Sequence, residues 1–210
     1  MTEQNTASEV ANDLGYLRAL AEEGRNAPLL GGRFAVMWGV LVAIALLAQW
    51  LILSGLAGLK PQALGVVWIT MMVVGALGSV VLGRSLRNKP GIGSFGNRAE
   101  SAVWSAGGFA IFVYWLAITA GVVIGKGGAG LFDSIMIAAF AIYGVCYFTS
   151  GNLSGNHTLR VIGALCFLAA IIMGALIHQP ISYLVAAIFV VLVTVVPGFM
   201  QLRAEPSELV

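Results

Sequence analysis

Long apolar stretches broken by isolated charges dominate the chain. No charged side chain occurs in 34–59, 61–83, 101–125, 134–156 or 161–202, and the breaks open at Lys60, Arg84, Lys126, Asp133 and Arg160. A helix needs about 20 apolar residues to cross a hydrocarbon core of roughly 30 Å, so the first four stretches each predict one span. The fifth stretch, residues 161–202, would make a helix roughly twice as long as the core, and His178-Gln179-Pro180 supplies a polar break where a turn is needed. Six spans follow, over 34–54, 62–83, 102–125, 131–150, 160–178 and 181–202. The expected architecture is all-α: a polytopic membrane helix bundle with six transmembrane helices.

The first 33 residues pattern differently. Thr6-Ala7-Ser8-Glu9 has the spacing of a capping box, and Val10, Leu14, Leu17 and Ala21 then recur at helical spacing. Asn12, Asp13, Arg18, Glu22 and Glu23 take the other faces, and Gly24 and Pro28 end the run. This predicts an amphipathic helix that lies on the membrane surface, packs beneath the bundle or docks a cytosolic partner. The organisation is thus an amino-terminal segment 1–33, a six-span domain 34–202 and a short tail 203–210.

Positive residues orient the chain, because cytoplasmic flanks carry the excess of lysine and arginine. An inside amino terminus gathers Arg18, Arg25, Arg33, Arg84, Arg87, Lys89, Arg98, Arg160 and Arg203 on one side and leaves only Lys60 and Lys126 on the other. Both termini are therefore expected in the cytoplasm. The first apolar run begins only at Phe34, so no cleavable signal peptide is expected.

Composition agrees: of 210 residues, 59% are hydrophobic and 10% charged, too few charges to clothe a water-facing surface. Two cysteines exclude a disulfide scaffold, and a net charge of +2 leaves no surplus for direct nucleic-acid binding. Gly91-Ile92-Gly93-Ser94-Phe95-Gly96 spells GxGxxG, but it follows Lys89-Pro90 between two spans rather than a strand of a βαβ unit. What survives is a basic glycine-rich loop in which Arg84, Arg87, Lys89 and Arg98 serve as a topology signal or meet a lipid headgroup or acidic partner. Lys126 lacks the residues of a phosphate loop around it, and Asn152 and Asn156 read as turn formers.

Little chemistry is visible inside the spans. His157 and His178 are expected on opposite sides, Cys146 and Cys166 read as small packing residues, and Asp133 reads as a helix-start carboxylate. No catalytic set, metal site or cofactor is expected. Trp38, Trp50, Trp104, Tyr147 and Tyr183 lie near span ends, as interface anchors do. Tyr114 and Trp115 sit mid-span instead, and with Thr119 they mark the place to seek an intramembrane ligand. Ala102, Ala106, Ala110, Ala117, Gly121 and Gly125 form a stripe of small side chains, expected to admit another helix of the same bundle. Pro197 is expected to kink the sixth span.

The juncture Leu20-Ala21-Glu22-Glu23-Gly24-Arg25-Asn26-Ala27-Pro28-Leu29-Leu30-Gly31-Gly32-Arg33-Phe34, running into Met37-Trp38-Gly39, resembles the start of uncharacterised multi-span bacterial inner-membrane proteins. Some of these are encoded beside winged-helix transcription regulators, so the resemblance implies a sensory or sequestering role. The expectation is a non-enzymatic inner-membrane protein that engages a cytoplasmic protein or membrane lipid through Val10, Leu14 and Leu17 and the basic loop. The alternative is a small homo-oligomeric transporter or channel for an apolar or weakly polar ligand.

Overall fold

The structure, a computed structural model, describes residue 15 and residues 29–89, 91–125 and 127–204. The amphipathic pattern carrying Val10, Leu14 and Leu17 and the last residues of the tail lie outside the described residues. Among those described there is no strand, and six helices are long and apolar enough to cross a membrane. They are α1 (Gly32–Leu53), α2 (Ala63–Leu86), α3 (Phe95–Val123), α4 (Ser134–Leu153), α5 (His157–Ala175) and α6 (Ile181–Ala204). A 3₁₀ turn, Ala129–Asp133, leads into α4.

Neighbours in space follow the order α2, α1, α6, α5, α4, α3. α6 returns to lie beside α1, while α2 packs on α1 and α3 on α4 at the two extremes, so these two helices are the least covered. The core runs along α4, α5 and α6, with Phe140, Tyr147, Cys166, Ala169, Met173, Ala186 and Val193 buried in it. Cys146 and Cys166 are buried free thiols, as packing residues should be.

Close helix approach depends on glycines. A Cβ on Gly163 of α5 would lie 2.9 Å from the Phe148 backbone nitrogen of α4, and one on Gly32 of α1 would lie 2.7 Å from the Gly198 carbonyl oxygen of α6. In hydrocarbon, helix association draws on van der Waals contact, and small residues let backbones come this near. The stripe on the third span behaves otherwise. Ala102, Ala106, Ala110, Ala117 and Gly125 are exposed and Gly121 is half-buried. α3 instead meets α4 through Val103, Trp104 and Gly107: Cys146 Sγ is 3.7 Å from the Val103 carbonyl, and the Trp104 and Tyr147 rings meet edge-on at 4.8 Å. The bulky Trp104, which gains most from burial, sets the seam beside the stripe rather than on it.

One boundary and one irregularity also differ from the sequence reading. α3 begins at Phe95, seven residues before the expected 102, because Ser94 caps it and the helix runs through Asn97, Arg98 and Glu100 before turning apolar. In α6 the irregularity is a π-helical turn, Val191–Val195, placed before Pro197. Proline has no N–H to offer the carbonyl four residues back, Val193, and its ring crowds that oxygen; widening the preceding turn accommodates both. Thr194 turns its hydroxyl onto the Val190 carbonyl in the same stretch.

Candidate functional site

Between residues 29 and 204 the chain has only two carboxylates, Glu100 and Asp133. They stand at opposite ends of the bundle, and each organises a polar construction.

At the end where α1 and α3 begin and α2 and α6 finish, the centre is Asn97. Its Oδ1 accepts from the Leu30 N–H at 2.8 Å, while its Nδ2 donates to the Gly91 carbonyl at 3.0 Å and to Ser94 Oγ at 3.1 Å. Leu30 and Asn97 are both buried. The GxGxxG segment is therefore a helix-capping loop: Gly91 takes φ +80°, the Ser94 N–H returns to the Gly91 carbonyl at 2.9 Å, and helices flank it on both sides. One turn further along α3, buried Glu100 hydrogen-bonds the Gly31 backbone and the Gln201 side chain. A Cβ at Gly31 would sit 3.0 Å from Glu100 Oε2, so glycine makes room for the carboxylate. Three helix ends, of α1, α3 and α6, are joined here.

Around this joint the surface is basic. Arg84, Arg87 and Arg98 are exposed, and Lys89 is half-buried. With Arg33, Arg160 and Arg203, seven cations share this end, among the described residues, with one carboxylate that is spent internally.

No known protein family, curated protein or solved structure matches this chain. Its function is read from its own residues.

The opposite end carries a chain of side-chain hydrogen bonds. His178 Nδ1 lies 2.7 Å from Asp133 Oδ2, the Tyr183 hydroxyl donates to Asp133 Oδ1 and also bonds Gln49, and Gln49 Oε1 accepts from the Trp68 indole N–H at 2.7 Å. Five elements are tied: the start of α4, the α5–α6 turn, α6, α1 and α2. Exposure falls along it, from a His178 side chain that is 63% exposed to Asp133 at 15%, with Tyr183 and Gln49 buried. Asp133 does stand at a helix start, as expected, but makes no capping bond: its backbone is already helical, and its oxygens instead meet His178 and Tyr183. His178 itself holds φ +65°, at a turn closed by the Gln179 N–H on the Leu176 carbonyl. Sequence reading placed Asp133 and His178 on the same side without pairing them. It missed Gln49 as a partner because a lone glutamine in an apolar run carries no register signal.

Tyr114, Trp115 and Thr119 sit together on the outer part of α3, and among the described residues no groove or second helix brings them further polar partners beyond Ser134. Tyr114 bonds Ser134 Oγ at 3.0 Å, Trp115 stacks on Phe112 of its own helix at 5.9 Å, and the Thr119 hydroxyl donates back to the Trp115 carbonyl at 2.8 Å. All three lie along α3, the helix that packs only at the edge of the bundle.

Proposed function

We propose that this is a non-enzymatic protein of the bacterial inner membrane, both termini cytoplasmic, with a regulatory, sensory or scaffold role. It engages a cytoplasmic protein through its amino-terminal segment and the basic loop. The observation that carries this reading is the Leu30–Asn97 hydrogen bond. It holds Leu30, which follows the amino-terminal segment in the chain, against Asn97 beside the loop bearing Arg84, Arg87, Lys89 and Arg98, which supports reading the two candidate docking elements together. Positive charge on the loop suits an acidic partner, and such charge chiefly raises association rate and selectivity. The transporter reading draws less support, since Thr119 satisfies its hydroxyl within its own helix and Trp115 stacks on its own neighbour.

Native mass spectrometry on protein gently extracted from its own membrane tests the proposal. A stoichiometric second protein is expected with the wild type. It should be lost both on deletion of residues 1–27 and in the Arg84→Gln/Arg87→Gln/Arg98→Gln variant, with membrane insertion unchanged. Equal recovery of that protein with all three forms, or recovery of no protein at all, refutes the proposal.

A further inference from the structure

A shallow, open groove of about 460 Å³ lies at the basic end between α1, α2 and α6. Val36 and Met37 of α1, Val81 and Leu82 of α2 and Leu202 of α6 line it, and Arg33 is the one charged residue on its wall. Gly78 lets α1 and α2 close its inner end: a Cβ there would lie 2.4 Å from Met37 Sδ. The mouth therefore lies at the charged end of three spanning helices and the apolar floor lies toward the membrane interior.

Charge continues the groove outward. Arg33 stands one turn before Val36 and Met37 on the same face of α1. Arg84 stands three residues after Val81 on α2 and is exposed. Arg84 is not on the groove wall itself; it stands one turn beyond Val81 at the interface end of α2, where a long cationic side chain keeps its head at the interface. An occupant must be apolar below and anionic above, at the depth where a span meets the interface. A guanidinium has five N–H donors, so Arg33 can serve a phosphate alongside other partners.

We propose that this groove binds one anionic phospholipid, with an acyl chain along Val36, Met37, Val81 and Leu82 and the phosphate held by Arg33 and Arg84. The site shares Arg84 with the protein-docking loop but needs neither residues 1–28 nor Arg87, Lys89 and Arg98, so Arg87→Gln/Arg98→Gln separates the two readings. Each arginine near a lipid surface is worth roughly a factor of five in affinity, and two together about 25-fold.

The test uses the full chain in nanodiscs of equal parts phosphatidylglycerol and phosphatidylcholine, with retained lipids counted by native mass spectrometry after detergent release. The wild type should keep one phosphatidylglycerol in preference to phosphatidylcholine. Arg33→Gln/Arg84→Gln should lower that preference by about 25-fold. Val81→Trp, at an exposed position that leaves the core alone, should fill the groove and remove both lipids. Arg87→Gln/Arg98→Gln should leave retention unchanged. Unaltered retention in both the arginine pair and Val81→Trp overturns the site. So does lipid binding that appears only after residues 1–27 are deleted, which would assign the groove to the amino-terminal segment. A dimer mass with no lipid, abolished by Val81→Trp, would assign it to a second copy and also overturns the proposal.

Discussion

Removing the hydrogen bond between Tyr183 and Asp133 tests whether the polar chain at the far end holds the bundle together. Tyr183→Phe takes away the donor and leaves the ring in its buried place; Asp133→Ala takes away the acceptor for both Tyr183 and His178. Hydrogen bonds between transmembrane residues average about 0.6 kcal/mol, because polar groups of the unfolded chain find other partners in the bilayer. This one joins a buried phenol to a carboxylate, and bonds to charged groups are worth about 1.5–3 kcal/mol. The Asp133–His178 contact is shorter on paper than in effect. Its histidine side chain is 63% exposed, and exposed ion pairs contribute at most about 1 kcal/mol. The double-mutant cycle of Tyr183→Phe with Asp133→Ala should therefore give a coupling of about 1.5 kcal/mol or more, and the cycle of His178→Ala with Asp133→Ala below about 1 kcal/mol. Reversible unfolding in mixed detergent–lipid micelles, followed by helical circular dichroism, measures both. A Tyr183–Asp133 coupling within about 0.5 kcal/mol of zero, the ordinary scatter of independent sites, refutes the assignment of that network as a structural tie.

Three further outcomes follow from the geometry. His178→Gly should be at least about 1 kcal/mol more stable than His178→Ala, since both lose the ring and only alanine meets the left-handed penalty; equal stabilities would contradict the turn. Gly163→Leu should destabilise by about 1–3 kcal/mol or prevent folding, because its new atoms meet backbone of α4 that cannot step aside. Gly121→Ala, where nothing lies within 4 Å, should change stability by less than about 1 kcal/mol, and a larger loss would show that the exposed face of α3 is covered by something else.

Most of the architecture was legible because membrane insertion imposes a one-dimensional rule: a charge is costly in hydrocarbon, so charge-free runs mark spans. His178-Gln179-Pro180 divided the long run correctly, since a proline and two polar residues suit a turn and no span centre. The rule says nothing about where a helix begins outside hydrocarbon, so the polar first turns of α3 were assigned to the loop. It is equally silent on rotation about the helix axis. The small-residue stripe and the Trp104 face lie on the same helix, and only the third dimension decides that the aromatic face packs. The polar networks were hidden for a related reason: Asp133 meets partners 45 and 50 residues away, and no local pattern encodes such a distance.

The two carboxylates explain why the ends differ. Asp133 draws its partners from side chains on α6 and the turn before it, so that end is tied through long-range side-chain bonds. Glu100 and Asn97 instead take the backbone of Gly31 and Leu30, the last residues before α1, so the basic end is tied through the main chain at the root of the amino-terminal segment. Leu30 meets the basic loop through its buried hydrogen bond to Asn97. Asn97→Ala removes that bond and the two that shape the loop, and it leaves the Leu30 N–H buried without its acceptor, at a cost of about 1–3 kcal/mol. Asn97→Asp keeps the acceptor for Leu30 but gives up the donation to Gly91 and sets a second oxygen against that carbonyl. If the segment and the loop act as one face, partner recovery should fall in Asn97→Ala and be largely kept in Asn97→Asp, with both proteins inserted. Equal recovery in the two variants and the wild type would mean that the segment and the loop work separately.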